Sequence, residues 1–175
     1  FLLPGMLHAS ILQCPVWGGT LKNVDGTNIS NLPGIKKIVK DKSWVAVVAD
    51  NWWRANEALK RLPVSWNITE NQNVSSESIS RVLRTGINDE SAPIAREDGN
   101  IKEAFQAAAK IVDAEYTSGY LNHATMEPQT TAALFTPERL DVWSGTQNGE
   151  STAASAAETV GIDLKKVFVH RFHAG

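Results

Sequence analysis

The stretch from Ala114 to Asn148, AEYTSGYLNHATMEPQTTAALFTPERLDVWSGTQN, predicts much of the fold of this chain. It begins as a strand-like run and passes through a compact polar turn, residues 123–129. Two further strand-like runs flank the turn Thr136–Arg139, whose proline at the second position is typical of a type I turn in a β-hairpin. The hairpin ends at Gly145-Thr146-Gln147-Asn148, just before a helical pattern. Because backbone N–H groups at strand-to-helix turns point at whatever is bound, this end is the first candidate site.

The residues on either side of this stretch extend the same pattern. Asn148 is expected to cap a helix that ends at Gly161, and a last strand is expected at Lys166–Phe172. The inner face of that helix carries small residues, namely Ala153, Ala156, Ala157 and Val160. On the N-terminal side, a strand is expected at Ile111–Tyr120, after a short helix that Asn100 and Glu103 would cap.

The first half of the chain has its own centre, the run WVAVVA at Trp44–Ala49, which is typical of a buried central strand. A helix capped by Asp50 or Asn51 follows, and then a strand at residues 64–68. A second helix is expected to begin after Ser75 and to end at Gly86. Residues 87–99 show no periodicity and are expected to link two lobes. The fold class is therefore α+β, or mixed α/β.

Composition restricts the classes of function. The 175 residues carry a net charge of −2, which argues against nucleic acid or an anionic membrane as the main partner. No apolar run approaches the roughly 20 residues of a membrane-spanning helix. A single cysteine, Cys14, cannot form an internal disulfide or an iron–sulfur site, and no neighbouring base marks it as a nucleophile. The chain starts with Phe1 and stops shortly after a strand-like run, so we expect it to be a fragment.

No metal site can be assembled from the sequence. His123 and Glu127 are four residues apart, but Pro128 makes a helix there unfavourable. His170 and His173 would point to opposite faces of a strand. Since zinc needs three or four convergent ligands, we expect no metal bound directly by protein side chains.

Gln147 is the strongest candidate for binding chemistry. A neutral amide offers two donors and one acceptor, which suits an oxo group or a heterocycle, and the free N–H groups of the following helix would add donors for an anion. The alternative is that Thr146–Asn148 only caps the helix, and capping statistics alone favour that alternative.

The chain resembles the molybdopterin-binding large subunit of the xanthine dehydrogenase and aldehyde oxidase family, and most closely its isoquinoline 1-oxidoreductase β-subunit type. Five blocks of sequence carry the resemblance in the family's order. They are LPGMLHASI at residues 3–11, LPGI at 32–35, VAVVADNWWRANEALKRL at 45–62, HATMEPQ at 123–129 and VWSGTQ at 142–147.

The resemblance implies an α/β-hammerhead domain at residues 1–98 and the start of the first molybdenum-cofactor-binding domain, truncated, at 99–175. It implies an oxidoreductase that hydroxylates an N-heterocycle or an aldehyde with oxygen from water. The cofactor would be molybdopterin, in its cytosine dinucleotide form, and the electrons would pass to iron–sulfur clusters on a small partner subunit. Gln147 would bind the cofactor, with weaker roles for Thr146 and for Gly175 as a possible start of a glycine loop.

Departures from the family pattern limit these expectations. The glycine loop expected after the last strand reads His173-Ala174-Gly175, and the family's general-base glutamate lies beyond this stretch, so no catalytic residue is assigned here. Glu127 is expected to fix its turn rather than act as that base. We expect the fragment alone to bind no molybdenum cofactor and to have no turnover. A non-catalytic hammerhead-type interaction or scaffold module is the alternative. The compartment, bacterial periplasm or cytoplasm, stays open, and a soluble protein is expected.

Overall fold

A computed structural model describes residues 2–87 and 89–175 and contains both helices and strands, which confirms the α+β class. Its elements, in chain order, are β1 (His8–Gln13), β2 (Thr20–Val24), β3 (Ile35–Lys40), β4 (Trp44–Ala49), α1 (Trp52–Lys60), β5 (Val64–Asn67), α2 (Ser76–Ile87), α3 (Ile101–Ala107), β6 (Thr131–Phe135), β7 (Leu140–Ser144), α4 (Gly149–Val160) and β8 (Val167–Arg171). The chain forms two compact units. One runs as far as Tyr116, and the other spans Thr117–Gly175.

Strand β4 is the centre of the first unit, as its sequence predicts. It lies between β1 and β3 in an antiparallel sheet, and Val45 and Val47 have no exposed surface. Helix α1 buries Ala55, Ala58 and Leu59, and α1 packs on β1 and β4. Burial of these aliphatic side chains is the main favourable contribution to this unit.

The edges of the first core are completed by a second antiparallel pair, β2 with β5, and by the turn that carries Ile29. Ile29 is fully buried although it lies outside any helix or strand. The start of α1 is fixed by Asn51, whose side-chain oxygen accepts a hydrogen bond from the N–H of Arg54 at 2.9 Å. Of the two caps that the sequence allowed, Asn51 is therefore the one used.

The prediction of one strand and the predicted end of one helix are wrong. Ile111–Tyr120 is not a strand, because no strand within residues 2–87 and 89–175 pairs with it, and a strand gains its hydrogen bonds only from a neighbour. Helix α2 does not stop at Gly86 but includes it and ends at Ile87. Gly86 lacks the left-handed backbone that ends a helix at glycine, whereas Gly161 has it, with a φ of 72°.

The second unit is a three-stranded sheet in the order β6-β7-β8, covered by α4. Strands β6 and β7 form the predicted antiparallel hairpin, and β7 and β8 are parallel. Strand β8 runs parallel to β7 because α4 carries the chain back across the sheet before β8 begins. Leu140, Val142 and Ala157 are buried, so the small-residue face of α4 packs inward as predicted.

Candidate functional site

The carboxyl ends of β7 and β8 meet at one edge of the second sheet. Ser144 lies opposite Arg171, and the N–H of Phe172 donates to the carbonyl oxygen of Ser144 at 3.0 Å. Helix α4 begins at Gly149, five residues after β7 ends, so its N-terminus belongs to the same edge. In sheets with parallel strands, ligands bind outside the carboxyl ends of the strands.

The turn between β7 and α4 is held by its own side chains. The hydroxyl of Thr146 accepts hydrogen bonds from the N–H of Asn148 at 3.2 Å and from the hydroxyl of Thr152 at 3.0 Å. The side-chain oxygen of Asn148 accepts from the N–H of Ser151 at 3.0 Å. Helix capping therefore explains Thr146 and Asn148.

Gln147 differs from the two residues beside it. Its side chain is exposed, and no side chain or backbone group of the described residues forms a hydrogen bond with its amide. The two donors and the acceptor of this amide are therefore available to a ligand. Glu150 lies in the first turn of α4, where a carboxylate complements the helix dipole and makes a second anion less favourable. The edge thus suits a ligand that needs neutral donors.

Gly175, the other predicted binding position in the second unit, is joined to this edge through Glu127. The N–H of Gly175 donates to Oε2 of Glu127 at 2.7 Å. The same carboxylate lies against Gly145, where an added Cβ would stand 2.2 Å from Oε1 of Glu127. The structure therefore places the turn 123–129, the end of β7 and the residues after β8 next to one another.

An ionic network centred on one buried carboxylate lies on the sheet, and the sequence analysis missed it. Asp141 is 7% exposed and accepts hydrogen bonds from Arg139 Nε at 2.7 Å and from Arg139 Nη2. His170 Nε2 lies 2.7 Å from Asp141 Oδ1, and its ring stacks on Trp143 with centroids 4.9 Å apart. Arg139, and then His170, hold the pKa of the Asp141 carboxyl below its ordinary value. Arg139 directly precedes β7 and lies two residues before Asp141, so their ion pair has a local signal, but the position of His170 depends on the pairing of β7 with β8.

No group of three histidine, cysteine, aspartate or glutamate side chains could hold a metal ion in the part of the chain that the structure describes. The absence of direct metal ligation stays a prediction.

Of the described helices, none has both the length and the apolar character needed to cross a membrane.

Comparison with known proteins identifies the class. A sequence profile of the molybdopterin cofactor-binding domain matches residues 87–175. One of the subunits of nicotinate dehydrogenase from Pseudomonas putida is 27% identical over 98% of this chain, which covers 15% of that protein. Aldehyde oxidase 3 of Rattus norvegicus is 28% identical over 71% of this chain and 9% of that protein.

Solved structures share the fold. Quinoline 2-oxidoreductase from Pseudomonas putida 86 superposes with a TM-score of 0.69 over 98% of this chain and 27% of that chain, at 16% identity. Aldehyde oxidoreductase from Desulfovibrio gigas gives a TM-score of 0.71 over 96% of this chain and 23% of that chain, at 14% identity.

This chain therefore belongs to the molybdopterin cofactor-binding domain family, within the xanthine dehydrogenase and aldehyde oxidase group of molybdenum enzymes. It corresponds to a part of their large subunit and spans a quarter or less of the length of the curated relatives named above. The side chains at the β7–α4 edge fit a cofactor of this kind by their chemistry, because the exposed amide of Gln147, which no described residue pairs, offers two neutral donors and one acceptor.

Proposed function

We propose that the polypeptide containing this chain is the large subunit of a molybdenum hydroxylase that hydroxylates an N-heterocycle or an aldehyde. Bound molybdopterin would supply the two-electron oxidation, with the inserted oxygen taken from water. The resemblance of residues 45–62, with the adjacent Trp52 and Trp53, to the isoquinoline 1-oxidoreductase β-subunit type supports an N-heterocycle as the substrate class.

The observation that carries this proposal is the unpaired amide of Gln147 at the β7–α4 edge of a chain that belongs to the family. Gln147 would donate a hydrogen bond to the cofactor without adding charge. Thr146 has a weaker role, because its hydroxyl already bonds to Asn148 and Thr152, so it would hold the turn in the shape that exposes Gln147. Gly175 would begin the glycine loop on the other side of the same edge.

The domain organisation and the partners belong to the same proposal. Residues 1–98 would form the hammerhead domain, and 99–175 would start the first cofactor-binding domain. The cofactor would be the cytosine dinucleotide form. A small subunit with iron–sulfur clusters would accept the electrons, since the present chain contributes one cysteine.

A substitution of Gln147 tests the proposal in the full-length gene product, co-expressed with its iron–sulfur partner. Gln147→Ala should lower kcat for a heterocycle such as quinoline or nicotinate by two to three orders of magnitude, as for loss of a transition-state donor. Molybdenum content per chain should stay at the wild-type value. Gln129→Ala, which removes an exposed amide in the same unit, is the matched control and should leave kcat unchanged.

Two further measurements make the proposal refutable. Label from ¹⁸O-enriched water should enter the product. Wild-type kcat in Gln147→Ala would reject the role of this amide. A molybdenum-free full-length protein with its partner bound would favour the non-catalytic scaffold module instead.

A further inference from the structure

Glu127 stands apart from the segment that carries it. Between residues 89 and 130, all of which the structure describes, Glu127 alone is half-buried and every other residue is exposed. The preceding Met126 is 98% exposed. Within the second unit, residues 117–130 therefore bury little apolar surface, whereas the Glu127 carboxylate contacts Gly145 and Gly175.

The two carboxylate oxygens of Glu127 reach two different parts of the chain. Oε2 accepts the hydrogen bond from the N–H of Gly175 at 2.7 Å. Oε1 fills the space over Gly145, and an added Cβ there would also stand 3.2 Å from Cδ of Glu127. Gly145 does not have a positive φ, so its backbone would accept alanine, and the space that glycine leaves is the space that Glu127 occupies.

The turn before Glu127 is strained, which indicates that its shape is imposed. Ala124 has a φ of 46°, a left-handed conformation that is uncommon for a residue with a Cβ. Its N–H donates to Oδ1 of Asn122 at 3.0 Å, and no burial of Ala124 supports it. Such conformations persist where the surrounding contacts determine them, and Glu127 supplies the contact at the end of this turn.

We propose that Glu127 is a positioning residue whose carboxylate contacts both Gly145 and Gly175. These two contacts, called the clasp below, fix the backbone on both sides of the β7–α4 edge. This inference rests on the proposed function, because the clasp matters for turnover through Gln147, two residues after Gly145. Oε2 accepts the Gly175 N–H and Oε1 lies over Gly145, so the role inferred for Glu127 is to hold the backbone.

Three substitutions, all in the full-length holoenzyme, test separately the length of the Glu127 side chain, its charge and the space over Gly145. Glu127→Asp shortens the side chain by one methylene and should break the hydrogen bond to Gly175. Glu127→Gln keeps the length and an acceptor oxygen, and should keep the clasp without the charge. Gly145→Ala leaves the Glu127 side chain chemically unchanged but pushes its carboxylate away. The cost to stability should be low because the displaced atom is the end of a flexible side chain. Glu138→Gln, an exposed carboxylate in the β6–β7 turn, is the matched control.

Hydrogen–deuterium exchange of the peptide that contains His173–Gly175 reports the clasp independently of activity. Exchange should become about tenfold faster in Glu127→Asp and Gly145→Ala, as for the loss of one hydrogen bond, and stay at the wild-type rate in Glu127→Gln and Glu138→Gln. In the same two variants kcat should fall about ten- to hundredfold with KM unchanged, because small misplacements of a reacting group have effects of this size.

Each outcome decides the inference. Wild-type exchange in either Glu127→Asp or Gly145→Ala overturns the clasp, and so does loss of protection in Glu127→Gln equal to that in Glu127→Asp. Faster exchange with unchanged kcat overturns the positioning role. Unchanged kcat in Gln147→Ala overturns the proposed function while leaving the exchange result standing, so the two failures are distinguishable.

Discussion

Replacing Asp141 with asparagine should destabilise the second unit, because the network on its sheet depends on one buried carboxylate. Asp141 accepts from Arg139 at 2.7 Å and lies 2.7 Å from His170 Nε2. An asparagine at this position would keep the size of the side chain but would lose the charge and turn an NH₂ group towards a donor. The β7–β8 pairing would then have to tolerate an unmatched polar group.

The size of the effect follows from the exposure of the partners. A hydrogen bond to a charged group contributes about 1.5–3 kcal/mol to stability when it is shielded from water. The side chains of Arg139 and His170 are 47% and 44% exposed, so solvent screening reduces each contribution to about 1 kcal/mol. The two together predict a loss of about 2 kcal/mol in the free energy of unfolding for Asp141→Asn.

Urea unfolding followed by tryptophan fluorescence measures this loss, since Trp143 stacks on His170. With a typical urea slope of about 1–3 kcal/mol per molar, the midpoint should fall by about 1 M at pH 7. Repeating the unfolding of both the wild-type protein and Asp141→Asn with Trp143→Phe added identifies the part of the fluorescence change that comes from Trp143. Glu138→Gln, which removes an exposed carboxylate from the neighbouring turn, should leave the midpoint unchanged.

The stabilisation by the Asp141 carboxylate depends on pH, and the sign of this dependence follows from the direction of its pKa shift. Arg139 and His170 hold the folded-state pKa of Asp141 below its ordinary value of 3.8, so this stabilisation is fully present above the ordinary value. It is lost as pH falls through the lowered folded-state pKa, and the difference between wild type and Asp141→Asn should shrink there. A difference that stays constant into strong acid, or that is missing at pH 7, would refute the reasoning.

Two further predictions concern the elements that hold the site and the first core. Asn148→Ala should cost about 1 kcal/mol in the free energy of unfolding, because the N–H of Ser151 loses its cap, and urea unfolding should show Asn148→Asp close to wild type. Val47→Ala should cost about 2–3 kcal/mol, since Val47 is fully buried in β4 and its truncation removes two methyl groups and leaves a cavity. Exposed Val82 in α2 provides the comparison, since Val82→Ala should cost little, and a loss as small as that in Val47→Ala would contradict the assignment of Val47 to the core.

The candidate site could be predicted from sequence only in part. Gln147 and the Asn148 cap lie within a few residues of each other, so the strand-to-helix turn could be inferred from local pattern. The contact of Glu127 with Gly175 joins residues 48 apart, and that of His170 with Asp141 joins residues 29 apart. Neither pairing leaves a periodic signal, because each depends on how the strands are arranged.

By itself, the sequence determined the elements whose causes are local. Strand β4, the β6–β7 hairpin and helix α4 follow from apolar periodicity, turn chemistry and capping, and all three have the expected bounds to within a residue or two. The tertiary structure alone decided the parallel pairing of β7 with β8 and the contacts of Glu127. It also decided that Ile111–Tyr120 is no strand here, although its alternation predicts one. The physical reason is that a helix satisfies its hydrogen bonds within its own segment, whereas a strand needs a neighbour that only the folded chain supplies.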